Sequence, residues 1–405
     1  MIQKSTLHQI ILTQNEEIRR KGTGFPRKIL RDLPDVQSHA LIISGIRRCG
    51  KSTLLTQLLT KCSQDAFYLN FDDLRLADFS ANDFVILDEL ISEGEYKALF
   101  FDEPQVIKQW ERYVRQKLEE GFRVYITGSN ASLLSRELGT HLTGRHITKE
   151  LFPFSYSEFI QFKSLTAGVE SFEQYVETGG FPEYVKSNNI DVMTELFNDI
   201  LNRDIAVRHS IRDVASLKRL AIYLVSNVGN LVTANKLQQV FDLKTPTILE
   251  YFSFLEDTYL TGFVAKFSYS LKVQAVNPRK IYIVDSALQK AVSASFSQDL
   301  GRSLENIIHG CLRWRGDEIY YFNENGSECD FVVCKNGTPY ELIQVCYELN
   351  AENREREQTG LKSAMDFFKL DNVKIITYGQ KDSYIHDGTR VEIVPAWEYL
   401  VSHET

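Results

Sequence analysis

Between Leu41 and Thr53 the chain reads Leu41-Ile42-Ile43-Ser44-Gly45-Ile46-Arg47-Arg48-Cys49-Gly50-Lys51-Ser52-Thr53. A short apolar run predicts a buried strand, a glycine-bounded loop follows, and Leu54-Leu55-Thr56-Gln57-Leu58-Leu59 opens a helix. Gly45 to Ser52 fits G-x-x-x-x-G-K-[ST], the spacing of a phosphate-binding loop. Gly45 and Gly50 let the backbone curl without a Cβ clash, so successive N–H groups turn inward towards phosphate oxygens. The positive end of the following helix adds to that field. The expected nucleotide-binding set is therefore Gly45, Ile46, Arg47, Arg48, Cys49, Gly50, Lys51, Ser52 and Thr53. Lys51 would reach the β- and γ-phosphates, and the Ser52 hydroxyl would take a place on Mg²⁺.

Working outward, Lys97-Ala98-Leu99-Phe100-Phe101-Asp102-Glu103 predicts a second buried strand, ending in two acids. Asp102 has the position that holds Mg²⁺ through water beside Ser52, and Glu103 the position that polarises the attacking water. The alternative is two acids capping a helix that starts near Pro104. Ala66-Phe67-Tyr68-Leu69-Asn70-Phe71, Phe122-Arg123-Val124-Tyr125-Ile126-Thr127 and His146-Ile147-Thr148-Lys149-Glu150-Leu151 predict three more strands. Helices are expected over 5–32, 82–93 and 131–138. Alternating strands and helices imply an α/β fold, a parallel sheet wrapped on both faces. Asp72 and Asp73 end the second strand and so lie near the nucleotide by topology. Gly128-Ser129-Asn130 ends the fourth, where Asn130 or Ser129 could contact the γ-phosphate or the attacking water. A plain helix N-cap is the alternative.

The whole chain sets the frame. At 405 residues it predicts two or three domains of ~100–200 residues each. With 25 Phe and 19 Tyr the cores should be well filled. A net charge of −8 argues against a protein coated in nucleic acid, although Arg19-Arg20-Lys21, Arg27-Lys28 and Arg47-Arg48 cluster near the start. The six cysteines make no CxxC pair and no zinc spacing, which is expected of reduced thiols in a cytoplasmic protein. Ile10-Ile11-Leu12 is soon followed by charges, so no signal-like core is expected there. No apolar run approaches the ~20 residues of a membrane span.

These features resemble the AAA+ branch of P-loop ATPases, with Gly45 to Thr53, Leu99 to Glu103 and Ile126 to Asn130 as the matching residues. The resemblance implies ATP and Mg²⁺ as ligands and a homo-oligomer. In that family an arginine just before the fifth strand reaches a neighbouring subunit's γ-phosphate, and Arg145 occupies that place. A surface arginine in an ion pair is the alternative. Beyond residue 151 the chain resembles a prokaryotic group of ATPases with an AAA domain, a helical middle and a nuclease-like C-terminal module. Leu142-Thr143-Gly144-Arg145, Glu150-Leu151-Phe152-Pro153-Phe154-Ser155, Gly179-Gly180-Phe181-Pro182-Glu183 and Arg203-Asp204-Ile205 carry that likeness. The expected domains are residues 1–155, an ATPase core; 156–275, a helical lid and winged-helix region; and 276–405, the nuclease-like module. The glycine pair at 179–180 predicts a tight turn between lid helices.

Residues 215–270 have the helix pattern of a winged helix, a unit that often places its third helix in the DNA major groove. Here that helix offers Lys244, Thr245 and Thr247, then Glu250, Tyr251, Phe252 and Phe254, a composition that favours packing over groove reading. Residues 300–400 run helix, three strands, helix, strand, which resembles the restriction-endonuclease-like fold. An active member needs a carboxylate at the place of Asp330 and an Asp/Glu-x-Lys on the next strand to hold Mg²⁺ and activate water. Gln344 and Cys346 stand in those slots, so the site is expected to be degenerate, with Asp330 left and Glu305 on the preceding helix in support.

The leading expectation is thus an ATP-hydrolysing switch or motor whose nucleotide state controls the pseudo-nuclease module or a protein partner. The alternative is a nucleic-acid-binding defence or mobile-element protein in which ATP only licenses binding through the winged-helix region. Metal-dependent nuclease activity is the third.

Overall fold

The computed structural model of the protein describes residues 2–62, 65–130, 144–293, 299–324 and 326–403. The chain divides into two compact units, residues 1–151 and 152–405. The helix expected over 131–138 and the pair Leu142-Thr143 lie outside the described residues.

The first unit opens on α1 (Lys4–Lys21). The sequence pattern extends this helix to residue 32, but Gly22 takes φ 68° and closes it, and Gly24 and Pro26 follow directly. A glycine in the left-handed region is a common helix stop, and proline cannot donate the next helical hydrogen bond. Then come β1 (Ala40–Ser44), α2 (Lys51–Lys61), β2 (Ala66–Asn70), α3 (Phe84–Glu93), β3 (Ala98–Asp102), α4 (Trp110–Glu119), β4 (Arg123–Gly128) and β5 (His146–Glu150). The strands form one five-stranded sheet in the order β2-β3-β4-β1-β5, every pairing parallel. All five residues of β1 and of β3 are buried, as expected for inner strands covered on both faces. Phe71, Phe79, Phe84, Phe101 and Tyr113 stack edge-on or flat in the core beside β3. That packing fixes the carboxyl edge of the sheet, where β1 and β3 deliver their motifs.

The second unit begins with α5 (Tyr156–Lys163), α6 (Val169–Thr178), α7 (Pro182–Ser187) and α8 (Asp191–Asp199), the last running into a π-helical stretch at Ile200–Val207. Next are α9 (Val214–Ser226), β6 (Leu231–Val232), α10 (Ala234–Phe241), α11 (Thr245–Asp257), β7 (Thr261–Lys266), α12 (Leu271–Val276), β8 (Arg279–Ile283) and α13 (Ser286–Val292). The chain ends with α14 (Leu300–Trp314), β9 (Glu318–Glu324), β10 (Ser327–Lys335), β11 (Thr338–Val345), α15 (Arg354–Phe368), β12 (Val373–Thr377), β13 (Asp382–His386), β14 (Thr389–Pro395) and α16 (Ala396–His403). One nine-stranded sheet, β13-β14-β12-β11-β10-β9-β7-β8-β6, runs through this unit. It joins β6 to β8, from the middle of the chain, to the C-terminal strands through the parallel β7–β9 pairing. The third helix of the middle region, α11, buries Ile248, Tyr251, Phe252 and Leu255, so its aromatics pack inward.

Candidate functional site

β1 ends at Ser44, and the loop that follows is bent at Gly45, whose φ is 148°. A Cβ on Gly45 would lie 2.1 Å from the Leu151 carbonyl oxygen, so no larger residue fits. Gly50 takes φ 105° at the start of α2, and Arg48 between them takes φ 63°. Arg27 stands beneath the loop, its Nη1 donating to the Cys49 carbonyl at 2.7 Å. Cys49 Sγ donates to the Leu151 carbonyl at 3.2 Å, and burial pushes its thiol up, so this cysteine is a packing residue. Arg27 was not anticipated as a loop contact from the sequence, because it lies 22 positions before the Cys49 carbonyl it holds. Lys51 is buried, and its Nζ donates to the Gly45 and Ile46 carbonyls at 3.0 Å each, folded back across its own loop.

The acids of β3 meet this loop. Asp102 is buried and accepts from Tyr68 OH at 3.0 Å, from Thr127 Oγ1 and from the Ser52 hydroxyl. Burial, with Glu103 beside it, pushes its carboxyl above the usual carboxylate range. Glu103 takes φ 52°, a left-handed conformation uncommon for a non-glycine residue, and its Oε1 lies 3.9 Å from Lys51 Nζ. Its other oxygen accepts from the Ser129 N–H at 3.2 Å, from Ser129 Oγ at 3.1 Å and from the Gln105 amide. Thr127 ties the pair together, donating to Asp102 while its Oγ1 accepts from the Glu103 N–H at 3.2 Å. Asn130 is buried at the end of the same segment. Of the two residues expected there, Ser129 is the one seen on Glu103. Tyr68, Gln105 and Thr127 are contacts that the sequence did not single out. Alternation along β2 and β4 was the available signal, but it needs the strand order to say which residue faces which.

A cleft of ≈ 420 Å³ runs from this point, lined by Gln14, Lys21, Gly24, Ser52, Tyr68 and Asp102, among others. Asp73 also lines it and accepts from Gln14 Nε2 at 2.9 Å, which places the expected acid of the second strand there. The donor set suits a nucleotide with a hard divalent cation: an ammonium, a hydroxyl and two carboxylates beside a loop bounded by Gly45 and Gly50.

Arg145 sits at the other edge of the sheet. Its carbonyl accepts from Ala40 N–H at 2.9 Å, before the first residues of β1 and β5 pair. It is thus a full strand, roughly 15 Å, from the end of β1 that carries the loop. Its Nη1 donates to Glu119 Oε1 at 3.2 Å, and the side chain is half exposed.

In the second unit, Gly179-Gly180 makes the expected turn between α6 and α7. Gly180 N–H donates to Asp285 Oδ2 at 2.7 Å, and a Cβ there would lie 2.1 Å from the Phe154 carbonyl oxygen. Asp285 also accepts from Ala287 N–H at 2.8 Å, and burial pushes its carboxyl up to about 7.

The four residues of the expected degenerate site line two clefts that share Glu305, Arg356 and Glu357, with Cys346 in the second. Asp330 on β10, Gln344 on β11 and Glu305 on α14 line one cleft of ≈ 700 Å³ with Glu328, Arg356 and Glu357. Cys346 packs in the apolar cluster with Leu342 and Leu361, and burial pushes its thiol up to about 12. Glu341 faces elsewhere and is paired with Arg315 and Lys374. The sequence reading left this site without a lysine and with one acid short on β11. Two further residues, from elements outside that reading, stand beside it. Lys280 on β8 brings its Nζ to 2.8 Å from Asp330 Oδ1, 2.9 Å from Glu305 Oε1 and 2.6 Å from Glu328 Oε1. Glu357 on α15 accepts from Gln344 Nε2 at 2.7 Å. α15 comes this close because Gly360 lies against β10, where a Cβ would meet the Glu328 carbonyl oxygen at 1.9 Å.

Comparison with known proteins gives two family matches. The family described as an AAA domain matches residues 37–160, and a domain of unknown function (DUF8612) matches residues 169–299. The uncharacterized protein MJ1544 of Methanocaldococcus jannaschii is 33% identical over 435 residues, an alignment covering 100% of this chain and 97% of that protein. An uncharacterized protein of Haemophilus influenzae is 28% identical over 338 residues, covering 78% of this chain and 84% of its own length. Among solved structures, the Holliday junction branch migration motor RuvB of Thermotoga maritima is similar with a TM-score of 0.31 and 14% identity. That alignment covers 61% of this chain and 88% of RuvB, a likeness too loose to carry any inference. The AAA-domain match and the parallel five-stranded sheet agree on an AAA-type, ATP-binding first unit. Among the described residues no helix is long and apolar enough to cross a membrane.

Proposed function

This chain belongs to the same family as MJ1544 of Methanocaldococcus jannaschii, and on that premise we propose that it is a Mg²⁺-dependent ATPase whose nucleotide state governs its second unit or a partner. The observation that carries the reading is the convergence of Lys51, Ser52, Asp102 and Glu103 at the carboxyl edge of β1 and β3. Lys51 would exchange its two loop carbonyls for phosphate oxygens, as good an acceptor set with more charge. Ser52 and Asp102 would hold Mg²⁺, which when bound neutralises charge developing on the phosphates. Glu103 would orient and polarise the attacking water once released from Ser129 and Gln105. Asn130 would stand at the γ-phosphate. Arg145 is too far from its own loop to serve it, which supports action on a neighbouring subunit and hence a homo-oligomer. Six cysteines with no CxxC pair fit a reducing cytoplasm.

For the second unit we read a winged-helix-like middle and a restriction-endonuclease-like module that does not cut. Gln344 offers an amide where a hard cation prefers a carboxylate, and Cys346, whose thiol burial pushes up, supplies no positive charge. The decisive experiment is ATP turnover by the purified chain with Mg²⁺, set beside incubation with plasmid, single-stranded DNA and RNA. ATP hydrolysis that Lys51→Ala removes, without cleavage of any nucleic acid, is the expected result. Cleavage that disappears in Asp330→Ala would overturn the pseudo-nuclease half of the proposal.

A further inference from the structure

The carboxylates of the second cleft converge on one atom, and it belongs to the chain itself. A primary ammonium has three N–H donors. Lys280 Nζ has three carboxylates within 2.9 Å, from Glu305, Glu328 and Asp330, so each donor has an acceptor. Two of these carboxylates also accept from further donors. Asp330 Oδ2 accepts from Val345 N–H at 2.9 Å, and Glu305 Oε1 accepts from Tyr282 OH at 2.5 Å as well as from the lysine. Gln344 links the cluster outward, its Oε1 accepting from Asp330 N–H at 3.2 Å while its Nε2 donates to Glu357. Lys280, Glu305, Asp330, Gln344 and Glu357 are all buried.

We propose that the Lys280 ammonium is the resident cation of this cleft, standing where a nuclease of this architecture would hold a divalent metal. The inference rests on the reading of the module as a non-cutting, nuclease-like fold. Three consequences follow from the geometry. A divalent ion approaching Asp330 and Glu305 meets an ammonium already at hydrogen-bond distance from both, so it would have to displace that ammonium to take the two carboxylates. A phosphodiester gains no help from the lysine either, because its donors are spent on carboxylates. Finally, the lysine joins β8 to β10 and α14, so the cluster stabilises the unit where a metal would otherwise be needed. Burial works to lower the pKa of Lys280, but Asp330, Tyr282, Glu305 and Glu328 hold it well above the ordinary lysine value, which keeps the cation in place.

The test compares the full-length wild type with Asp330→Asn, Lys280→Met and the double variant Lys280→Met/Asp330→Asn, all without nucleotide so that the phosphate loop contributes equally. Mn²⁺ is the probe, read by calorimetric titration and by thermal unfolding. Wild type and Asp330→Asn should bind the same number of Mn²⁺ ions and show no Mn²⁺-dependent difference in Tm. Lys280→Met should melt earlier than wild type, because it leaves buried carboxylates without their counter-charge. It should bind one further Mn²⁺ with recovery of Tm, and the double variant should lose that ion. If wild type binds one ion more than Asp330→Asn, the cleft is a metal site and the inference is overturned, a comparison that stands even if Lys280→Met does not fold. A folded Lys280→Met that gains no ion overturns it equally. Mn²⁺ binding at Asp330 without nucleic-acid cleavage would remove this inference alone, whereas cleavage would remove the pseudo-nuclease reading on which it rests.

Discussion

At the scale of single residues, three side chains divide the chemistry of the nucleotide site. Lys51→Ala should abolish tight ATP binding, because it removes the ammonium that lies across the loop's own carbonyls. Glu103→Gln should bind ATP and turn it over ~10²–10⁴ more slowly, the usual worth of a general base. Equilibrium binding and steady-state turnover, measured on both variants, separate the two roles. Asp285 yields a prediction of a different kind. Its carboxyl is held near 7 by burial, against an ordinary value of about 3.9 in an unfolded chain. Between those values the folded state keeps a proton that the unfolded state has released. The stabilising contribution is therefore full below about pH 4 and lost as pH rises through about 7. Asp285→Asn should flatten that part of the profile, so denaturation midpoints of variant and wild type should change relative to each other between pH 4 and 7 and run parallel above it.

At the scale of elements, the sites depend on close approaches that glycine alone permits. Gly360 lets α15 lie on the backbone of β10, one turn beyond Glu357, and so brings that acid to Gln344. Gly360→Ala should force helix and strand apart, at a cost of ~1–3 kcal/mol or more in line with overpacked cores. Urea unfolding followed by far-UV circular dichroism would detect it. Gly45 plays the matching part in the first unit, between the loop and Leu151. The termination of α1 teaches a related lesson. Its apolar periodicity runs past residue 21 in the sequence, but Gly22, Gly24 and Pro26 carry the stop signal, and backbone chemistry outweighs periodicity there.

At the scale of the whole molecule, the position of Arg145 makes assembly the issue. It lies at the edge of the sheet away from its own phosphate loop, and in the proposed homo-oligomer it would serve another copy. Turnover per subunit should rise with protein concentration. Arg145→Ala should bind ATP normally and hydrolyse it slowly, by roughly 10³, the lower end for arginine fingers. Turnover unchanged in Arg145→Ala would leave the residue as the partner of Glu119. Nucleic-acid binding is the other whole-molecule question. The inward packing of Tyr251 and Phe252 predicts weak DNA binding through α11 that falls little with salt, where a true phosphate interface would lose affinity steeply. Fluorescence anisotropy over a salt series would measure the slope.

The sequence by itself determined the phosphate loop, the acid pair after β3 and the five strands that carry them. These are local: fixed spacings of glycine, lysine and carboxylate that one stretch of backbone can read out alone. The order β2-β3-β4-β1-β5 and the facing of Thr127 and Tyr68 towards Asp102 needed the folded sheet, since strand neighbours are chosen by long-range pairing. The same holds more strongly for Lys280. It lies 50 positions before Asp330, outside any motif, and the sequence pattern of that strand shows only a lysine between an arginine and an apolar run. Only when β7 pairs with β9 does one sheet unite the two segments, and only then does a buried ammonium find three carboxylates. Charge compensation in a protein interior is a tertiary property, because a buried ion is tolerable only where the fold delivers its partners.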